Sequence, residues 1–322
     1  MMNKKAKWDF AKYGIQLLSF VSIAIIFFIF IFVFYRAWPA LKVSGIGFFT
    51  QGGFDTQIQD AFNSESGVKA IPFGMLGLIL GTLLSTGIAL GFATLLGIGA
   101  SVTICEFLPA KAARLMIALV RLLASIPSVL FGLIGLIIVV PIIEKLFITT
   151  DLQIAYLDQF QMSGQNLLAA VIVLIFMIVP TIVSLSVDAI KAVPKSYRET
   201  GFAFGMTRFR VIKKIVLPSA RSGIIAGVIL GAGRGIGEAI AVSMVCGGLS
   251  FIPNIKLGLT NLLAPTLPLA AAIVNKSEAM GSAPVEAALF SCGALLLLMG
   301  AALSIGAGII EKRMRKAAGY NA

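Results

Sequence analysis

The chain has 322 residues, of which 58% are apolar and only 12% are charged. Soluble proteins carry about 25% charged residues, and so few charges cannot cover the surface of a soluble protein of this length. The composition therefore excludes soluble globular and disordered proteins and predicts an all-α integral membrane protein that crosses the bilayer several times. Lys and Arg outnumber Asp and Glu by 26 to 14, which gives a net charge of +12.

The residue types that catalysis and metal binding need are scarce. The sequence contains no histidine, which excludes Ser-His-Asp and Cys-His catalytic sites and histidine-ligated metals. The three cysteines are far apart and form no CxxC pair, so we expect Cys105, Cys246 and Cys292 to be structural and free of disulfides. Neither a metal site nor a cofactor is expected.

Runs without charged residues indicate the membrane spans, because a helix crosses the hydrocarbon layer in about 20 residues. Six runs are long enough, and only the fifth is interrupted, by Arg234 and Glu238. The runs cover residues 13–35, 70–105, 122–143, 159–187, 222–255 and 287–310. The sequence therefore predicts six transmembrane helices. We expect the first to be a retained membrane span and not a cleaved signal peptide.

A seventh run at 257–275 is short and carries Pro265 and Pro268. With six spans both termini are cytoplasmic, and 19 of the 26 basic residues lie inside against six outside, as the positive-inside rule requires. A seventh span would move the basic cluster at residues 312–316 outside. We therefore place 257–275 in an external loop, as a short or re-entrant helix.

The cytoplasmic loop 191–221 carries eight of the basic residues and joins the fourth and fifth runs. Pro194 is typical of a helix start, Gly205 of a helix end, and Thr207 of the N-cap of a second helix. The pattern predicts two short helices around a glycine turn at the inner membrane surface. Spacing alone leaves two roles open, a basic loop that orients the protein and a docking knob for a cytoplasmic partner.

Arg234 and Glu238 form the one charged pair inside a predicted span. Arg234 follows Arg221 by 13 residues, which places it about 20 Å into a helix. Glu238 stands four residues later, where a continuous helix brings it to the same face and lets it neutralise the arginine in part. Ionisable residues inside membranes are functional candidates by default, and the guanidinium suits an oxyanion while the glutamate prevents the anion from being trapped. The alternatives are a gate that opens when the pair exchanges partners and an ion pair that only locks two helices.

Two segments carry a family resemblance. Glu199-Thr200-Gly201, then Gly205, then Leu217-Pro218, resembles the Glu-Ala-Ala motif of ABC importer permeases, with Thr and Gly where the family has two alanines. In that family the loop forms a coupling helix that enters a groove on the ATPase subunit. The resemblance implies that the coupling residues here are Arg198, Glu199, Gly201, Gly205, Leu217 and Pro218.

Gly233-Arg-Gly-Ile-Gly-Glu238 is similar to a segment of phosphate-specific ABC permeases, and the long external segment resembles their PstC-type subunit. Further stretches agree, over about residues 72–311: Phe73-Gly74, Gly81-Thr82, Ser125–Val129 with Gly132, and Pro218–Ile224. Arg121 departs from the pattern, because an acidic residue is typical a few positions before Pro127. The resemblance implies a type I ABC importer permease fold and a substrate site at Arg234 and Glu238.

This resemblance implies a three-part chain: residues 1–71 hold the cytoplasmic N-terminus, first span and external loop, 72–311 the five-span core, and 312–322 the cytoplasmic tail. It also implies inner (plasma) membrane localisation and a set of partners. These are a homologous permease subunit, a cytoplasmic ATPase dimer, an external phosphate-binding protein, inorganic phosphate and membrane lipid, but no nucleic acid. No Gly-x4-Gly-Lys-Ser/Thr occurs in the sequence, so the chain carries no P-loop. If ATP drives transport, we expect hydrolysis to belong to another polypeptide and this chain not to be the enzyme.

Three other functions stay open. Sulfate or molybdate fits Arg234 as well as phosphate does on charge alone. An ion-coupled secondary carrier would transport without an ATPase, although no inverted repeat is visible in the sequence. A membrane-embedded enzyme is the weakest of the three, because no nucleophile and base stand together.

Overall fold

We describe the fold from a computed structural model, which covers residues 4–63, 71–157 and 160–317. The chain folds almost entirely into helices. In chain order the α-helices are α1 (Lys4–Ser44), α2 (Gly47–Thr50), α3 (Phe54–Phe62), α4 (Leu76–Val102), α5 (Ala110–Ser125), α6 (Ser128–Ile134), α7 (Val140–Phe147), α8 (Thr150–Tyr156), α9 (Leu167–Ala192), α10 (Lys195–Ala203), α11 (Arg208–Val211), α12 (Leu217–Gly237), α13 (Ile240–Val245), α14 (Leu269–Asn275) and α15 (Ala283–Ala317). Three π turns continue helices, at Thr103–Phe107, Gly135–Val139 and Ile212–Val216, and short 3₁₀ helices lie at Ile255–Leu263 and Ser277–Ala279.

Six helical segments in the described ranges are long and apolar enough to cross a membrane, which confirms the predicted number. They are Lys12–Ser44, Leu76–Phe107, Ser128–Phe147, Leu167–Ala192, Arg208–Gly237 and Ala283–Arg313. The run 257–275 is not among them, because it is divided between the 3₁₀ helix at Ile255–Leu263 and α14.

The third span begins later than the charge-free run 122–143 indicates. Residues 122–125 belong to α5, none of whose side chains is buried, and the membrane-length helix starts at Ser128. Pro127 causes the break, because a proline forces the preceding residue out of helical geometry. Ile126 accordingly has an extended backbone, with ψ of 131°.

The boundaries of the fourth and fifth spans also differ from the runs. The fourth run begins at 159, where residues 158–159 lie outside the described part, and α9 starts at Leu167 with the Asn166 side chain accepting from the Ala169 amide at 3.0 Å. The run 222–255 is not one helix, because α12 ends at Gly237 and α13 begins at Ile240. Glu238 lies between them with an extended backbone, ψ 110°.

The core is built around α9, whose side chains are the most buried of the six spans. Helices α4 and α12 pack against it. Small residues allow these close approaches, as is usual between membrane helices. A Cβ on Gly97 would come within 2.7 Å of Ile182, and one on Gly231 within 2.9 Å of Ile178.

The segment before α4 packs on the rest of the protein. Asp55 of α3 accepts hydrogen bonds from the amide and the hydroxyl of Ser250, both at 2.7 Å, and forms an ion pair with Lys276 at 2.9 Å. Along the membrane-spanning part, α1 lies against α15, and Arg36 forms an ion pair with Glu286. The described residues 45–63 after the first span thus form an external cap that packs on the rest of the protein.

Candidate functional site

Arg234 lies near the end of α12 and lines an open cavity of about 1180 Å³. The walls of this cavity come from α9, α12 and α15, with Ala124 of α5, and are mostly apolar. Its polar lining consists of Thr181, Ser184, Ser222, Ser304, Arg234 and Glu311. Because Ser222 and Arg234 both line it, the cavity follows α12 for about 18 Å, from the level of Arg234 towards the loop 191–221.

The guanidinium of Arg234 is held by α9. Its Nη1 donates a hydrogen bond to the hydroxyl of Thr181 at 3.1 Å, and Arg234 is half-buried. Within the described residues no acidic side chain forms an ion pair with Arg234. An arginine in a mostly apolar cavity attracts anions strongly, because the surroundings screen its charge less than water does. Its planar set of donors matches the oxygens of an oxyanion.

The predicted pairing of Glu238 with Arg234 on one helix face is wrong. Because α12 ends at Gly237, Glu238 is outside the helix that carries Arg234. The Glu238 carboxylate instead accepts a hydrogen bond from the Ala241 amide at 3.0 Å, where it caps α13. The two residues thus lie close in sequence at the end of α12 but form no ion pair with each other.

The loop 191–221 forms the predicted first helix and glycine turn. α10 begins directly after Pro194 and ends in a Schellman motif, in which the Met206 amide bonds to the Gly201 carbonyl at 3.1 Å and the Gly205 amide to the Phe202 carbonyl at 2.9 Å. Gly205 has φ of 72°, the left-handed conformation that glycine adopts without strain.

The predicted second helix is present, but it is not a separate short helix. Thr207 does cap a helix, because its hydroxyl accepts from the Arg210 amide at 3.4 Å. That helix continues through the π turn Ile212–Val216 into α12, so Arg208–Gly237 is one segment of 30 residues. Pro218 is the second residue of α12, one position after Leu217 follows the π turn, and the wider spacing of that turn lets the helix pass a residue without an amide donor.

The six predicted coupling residues divide into inward and outward positions. Gly201 is buried against α11 and the π turn, and a Cβ there would come within 2.7 Å of Ile215. Leu217 is partly buried in the apolar cluster beneath the loop, whereas Pro218 and Glu199 are exposed. Arg198 points inward and forms an ion pair with Glu106 at 3.0 Å.

Around Gly205, the loop exposes several aromatic side chains. Phe204, at the turn itself, is 79% exposed, and Tyr197, Phe202 and Phe209 are also largely exposed. Exposed aromatic residues are typical of protein interaction sites. The sequence did not identify two residues that contact the predicted site residues. Thr181, next to Pro180 in the fourth span, binds Arg234, and Glu106, which marks only the end of the second charge-free run, binds Arg198.

The predicted structural role of the cysteines is consistent with their positions. All three are free thiols, with Cys246 and Cys292 buried and Cys105 partly buried. Burial raises the pKa of the Cys246 thiol to about 11. A thiol of this kind stays protonated at neutral pH and is a poor nucleophile.

Comparisons with known proteins place the chain in a family. Residues 93–316 match the family model described as binding-protein-dependent transport system inner membrane component. The phosphate transport system permease protein PstC of Mycobacterium leprae is 34% identical over 221 residues, which span 67% of this chain and 66% of that protein. PstC of Mesorhizobium japonicum is 31% identical over 262 residues, 77% of this chain and 73% of that protein.

A solved bacterial alginate ABC transporter shares the fold, with a TM-score of 0.55 at 17% identity over 96% of this chain and 98% of that one. The predicted all-α, six-span permease fold is thereby confirmed. The chain belongs to the family of binding-protein-dependent transport system inner membrane components, and its relatives there include PstC-type phosphate permeases.

Proposed function

We propose that the chain is the membrane-spanning permease subunit of an ATP-driven importer for inorganic phosphate. The observation that carries this proposal is Arg234, which faces a large cavity without a carboxylate partner in the described residues, in a chain whose relatives are named phosphate permeases. The arginine, the cavity and the similarity to phosphate permeases together favour an anion as the transported substrate. The chain carries the translocation path, and ATP hydrolysis takes place in a separate ATPase.

Phosphate contacts Arg234 as it crosses the membrane. Thr181 holds the guanidinium through one nitrogen, Nη1, so the other donors are available to phosphate oxygens. Glu238, at the adjacent helix break, adds a negative charge that keeps phosphate from binding too tightly to leave. Sulfate and molybdate would meet the same arginine, and the names of the relatives are what favour phosphate.

The family and the exposed loop support a set of partners. A cytoplasmic ATPase dimer docks on α10 and its glycine turn, where the exposed Phe204 and Glu199 offer apolar contact and charge. A homologous permease subunit closes the open side of the cavity, and an external binding protein delivers phosphate. Both termini are cytoplasmic in the inner membrane, an orientation that the distribution of basic residues favours.

The three-part organisation remains part of this proposal: residues 1–71 supply the first span and external cap, 72–311 the transport core, and 312–322 the tail. Of the tail, residues 318–322 lie outside the described ranges. The family match, which begins at residue 93, lies almost wholly within the proposed core.

Uptake of radiolabelled phosphate by Arg234 variants tests the proposal. Arg234→Gln removes the cation and should lower uptake at least tenfold while the ATPase still co-purifies, and Arg234→Lys should retain an intermediate rate. Lys42→Gln removes an exposed external cation and is the matched control, which should transport normally. Normal uptake by Arg234→Gln would contradict the assignment of the phosphate path.

A further inference from the structure

Arg198 stands beside the glutamate of the coupling motif, but its side chain turns away from the surface that would meet an ATPase. Its Nη2 and Nε lie 3.0 and 3.2 Å from Oε1 of Glu106, at the end of the second span. The side chain of Arg198 is 20% exposed and that of Glu106 is 11% exposed. The residues are 92 positions apart in sequence, so the ion pair connects two separate parts of the chain.

The same guanidinium also binds the end of the fourth span. Arg198 Nη1 donates to the Val193 carbonyl at 2.8 Å, and Nη2 donates to the Ile190 carbonyl at 3.0 Å. These carbonyls stand at the C-terminal end of α9, where the Ile190 carbonyl also accepts from the Val193 amide at 3.3 Å. One arginine thus joins α10, the end of α9 and the end of the second span.

The surroundings make this ion pair a mechanical connection between α10 and the second span. Beside it lies an open cavity of about 440 Å³, lined by Glu106, Arg198, Phe202, Arg208, Val211 and Ile212. Side-chain packing therefore does not fill the space between α10 and the second span. Arg208 adds a contact from α11, because its guanidinium stacks 5.0 Å from the centre of the Phe107 ring.

Glu106 and Phe107 both belong to the π turn Thr103–Phe107, which continues α4. The helix that leaves the coupling loop contains a second π turn, at Ile212–Val216, and this turn contacts α10. π turns are rare in helices and frequently occur at functional positions. The coupling helix is thus held between two irregular helical segments, each continuous with a membrane span.

We propose that Arg198 and Glu106 act as a strut that transmits movement of α10 to the second and fourth spans, and that Arg198 does not itself contact the ATPase. This inference rests on the proposed function. Arg198 is then a positioning residue, whose loss leaves ATPase docking in place but weakens the connection between ATP hydrolysis and transport. Arginine is required here, since the single ammonium of lysine cannot match the geometry of three separate acceptors.

The test uses the full chain, assembled with its permease partner, ATPase and binding protein in proteoliposomes, and measures phosphate imported per ATP hydrolysed. Glu106→Gln keeps a hydrogen-bond acceptor but removes the negative charge. Arg198→Lys keeps the positive charge but removes the planar set of guanidinium donors. Each should leave ATPase co-purification at the level of the unmodified chain and lower the transport ratio at least fivefold. The double variant should lower it no further, because the two residues act through each other.

Asp188→Asn is the matched control, because it breaks a second arginine–carboxylate pair, Arg121–Asp188, which is 3.1 Å long and more than half exposed. Its transport ratio should be unchanged. An unchanged ratio in Glu106→Gln would overturn the inference, and so would loss of ATPase binding in Arg198→Lys alone. If Glu106→Gln does not assemble, Arg198→Lys decides by the same ratio. Failure of the unmodified complex to import phosphate with ATP would instead refute the proposed function.

Discussion

Replacing Glu238 separates the structural role of its carboxylate from the effect of its charge. The carboxylate accepts one hydrogen bond, 3.0 Å from the Ala241 amide, and so caps α13 next to Arg234. Loss of a helix cap costs about 0.5–2 kcal/mol. Glu238→Ala should therefore destabilise the protein by about 1 kcal/mol, whereas Glu238→Gln keeps an oxygen for the amide and should cost less than about 0.5 kcal/mol.

The assay is thermal unfolding of the purified permease pair in detergent, followed by phosphate uptake with each variant. We expect Glu238→Ala to lower the melting temperature and Glu238→Gln to leave it nearly unchanged. In uptake, Glu238→Gln should slow turnover and increase bound phosphate, because Arg234 then holds the anion without a neighbouring negative charge. Equal melting temperatures for the two variants would refute the capping role, and unchanged turnover in Glu238→Gln would refute the role of the charge.

Three further outcomes follow from single contacts. Gly205→Ala places a Cβ at φ of 72° and should destabilise the turn at Gly205 by about 1–2 kcal/mol, which lowers ATPase co-purification. Gly205→Asn should destabilise the turn less, because asparagine tolerates this conformation better. Equal loss of co-purification in the two variants would contradict this. Asp55→Asn removes the charge that pairs with Lys276, and limited proteolysis should then cut the external cap faster than in the unmodified chain. Unchanged cleavage would argue against a stabilising role for the Asp55–Lys276 ion pair. Cys246 should resist maleimide at pH 7.5 in the folded protein and react after denaturation, because burial raises its pKa to about 11; rapid labelling of the folded state would contradict its burial.

Much of the fold was predictable because hydrophobic length is a local property. The absence of charge over about 20 residues identified the six spans found in the described part of the chain, and the positive-inside rule correctly removed the run 257–275. Local turn chemistry likewise located α10, because Pro194 and Gly205 act on their own backbone. These predictions needed no information about contacts between distant residues.

The errors arose where composition does not determine backbone path. A run without charges cannot show that Pro127 ends one helix and starts another, or that Glu238 leaves the helix to cap the next. The spacing of four between Arg234 and Glu238 indicates a shared face only if the helix is continuous.

The long-range contacts at the candidate sites also could not be predicted from the sequence. The bond from Arg234 to Thr181 joins residues 53 positions apart, and the ion pair of Arg198 with Glu106 joins residues 92 apart. Nothing in either local pattern identifies the partner. Thr181 stood among apolar residues, and Glu106 marked the end of a charge-free run.

Transport by the reconstituted complex tests the central claim most directly. Proteoliposomes containing this chain, its permease partner, the ATPase and the external binding protein should accumulate radiolabelled phosphate only when ATP is supplied to the ATPase side. Sulfate and molybdate in excess should not compete. Phosphate uptake by the chain without the ATPase, or preferential uptake of sulfate or molybdate, would contradict the account.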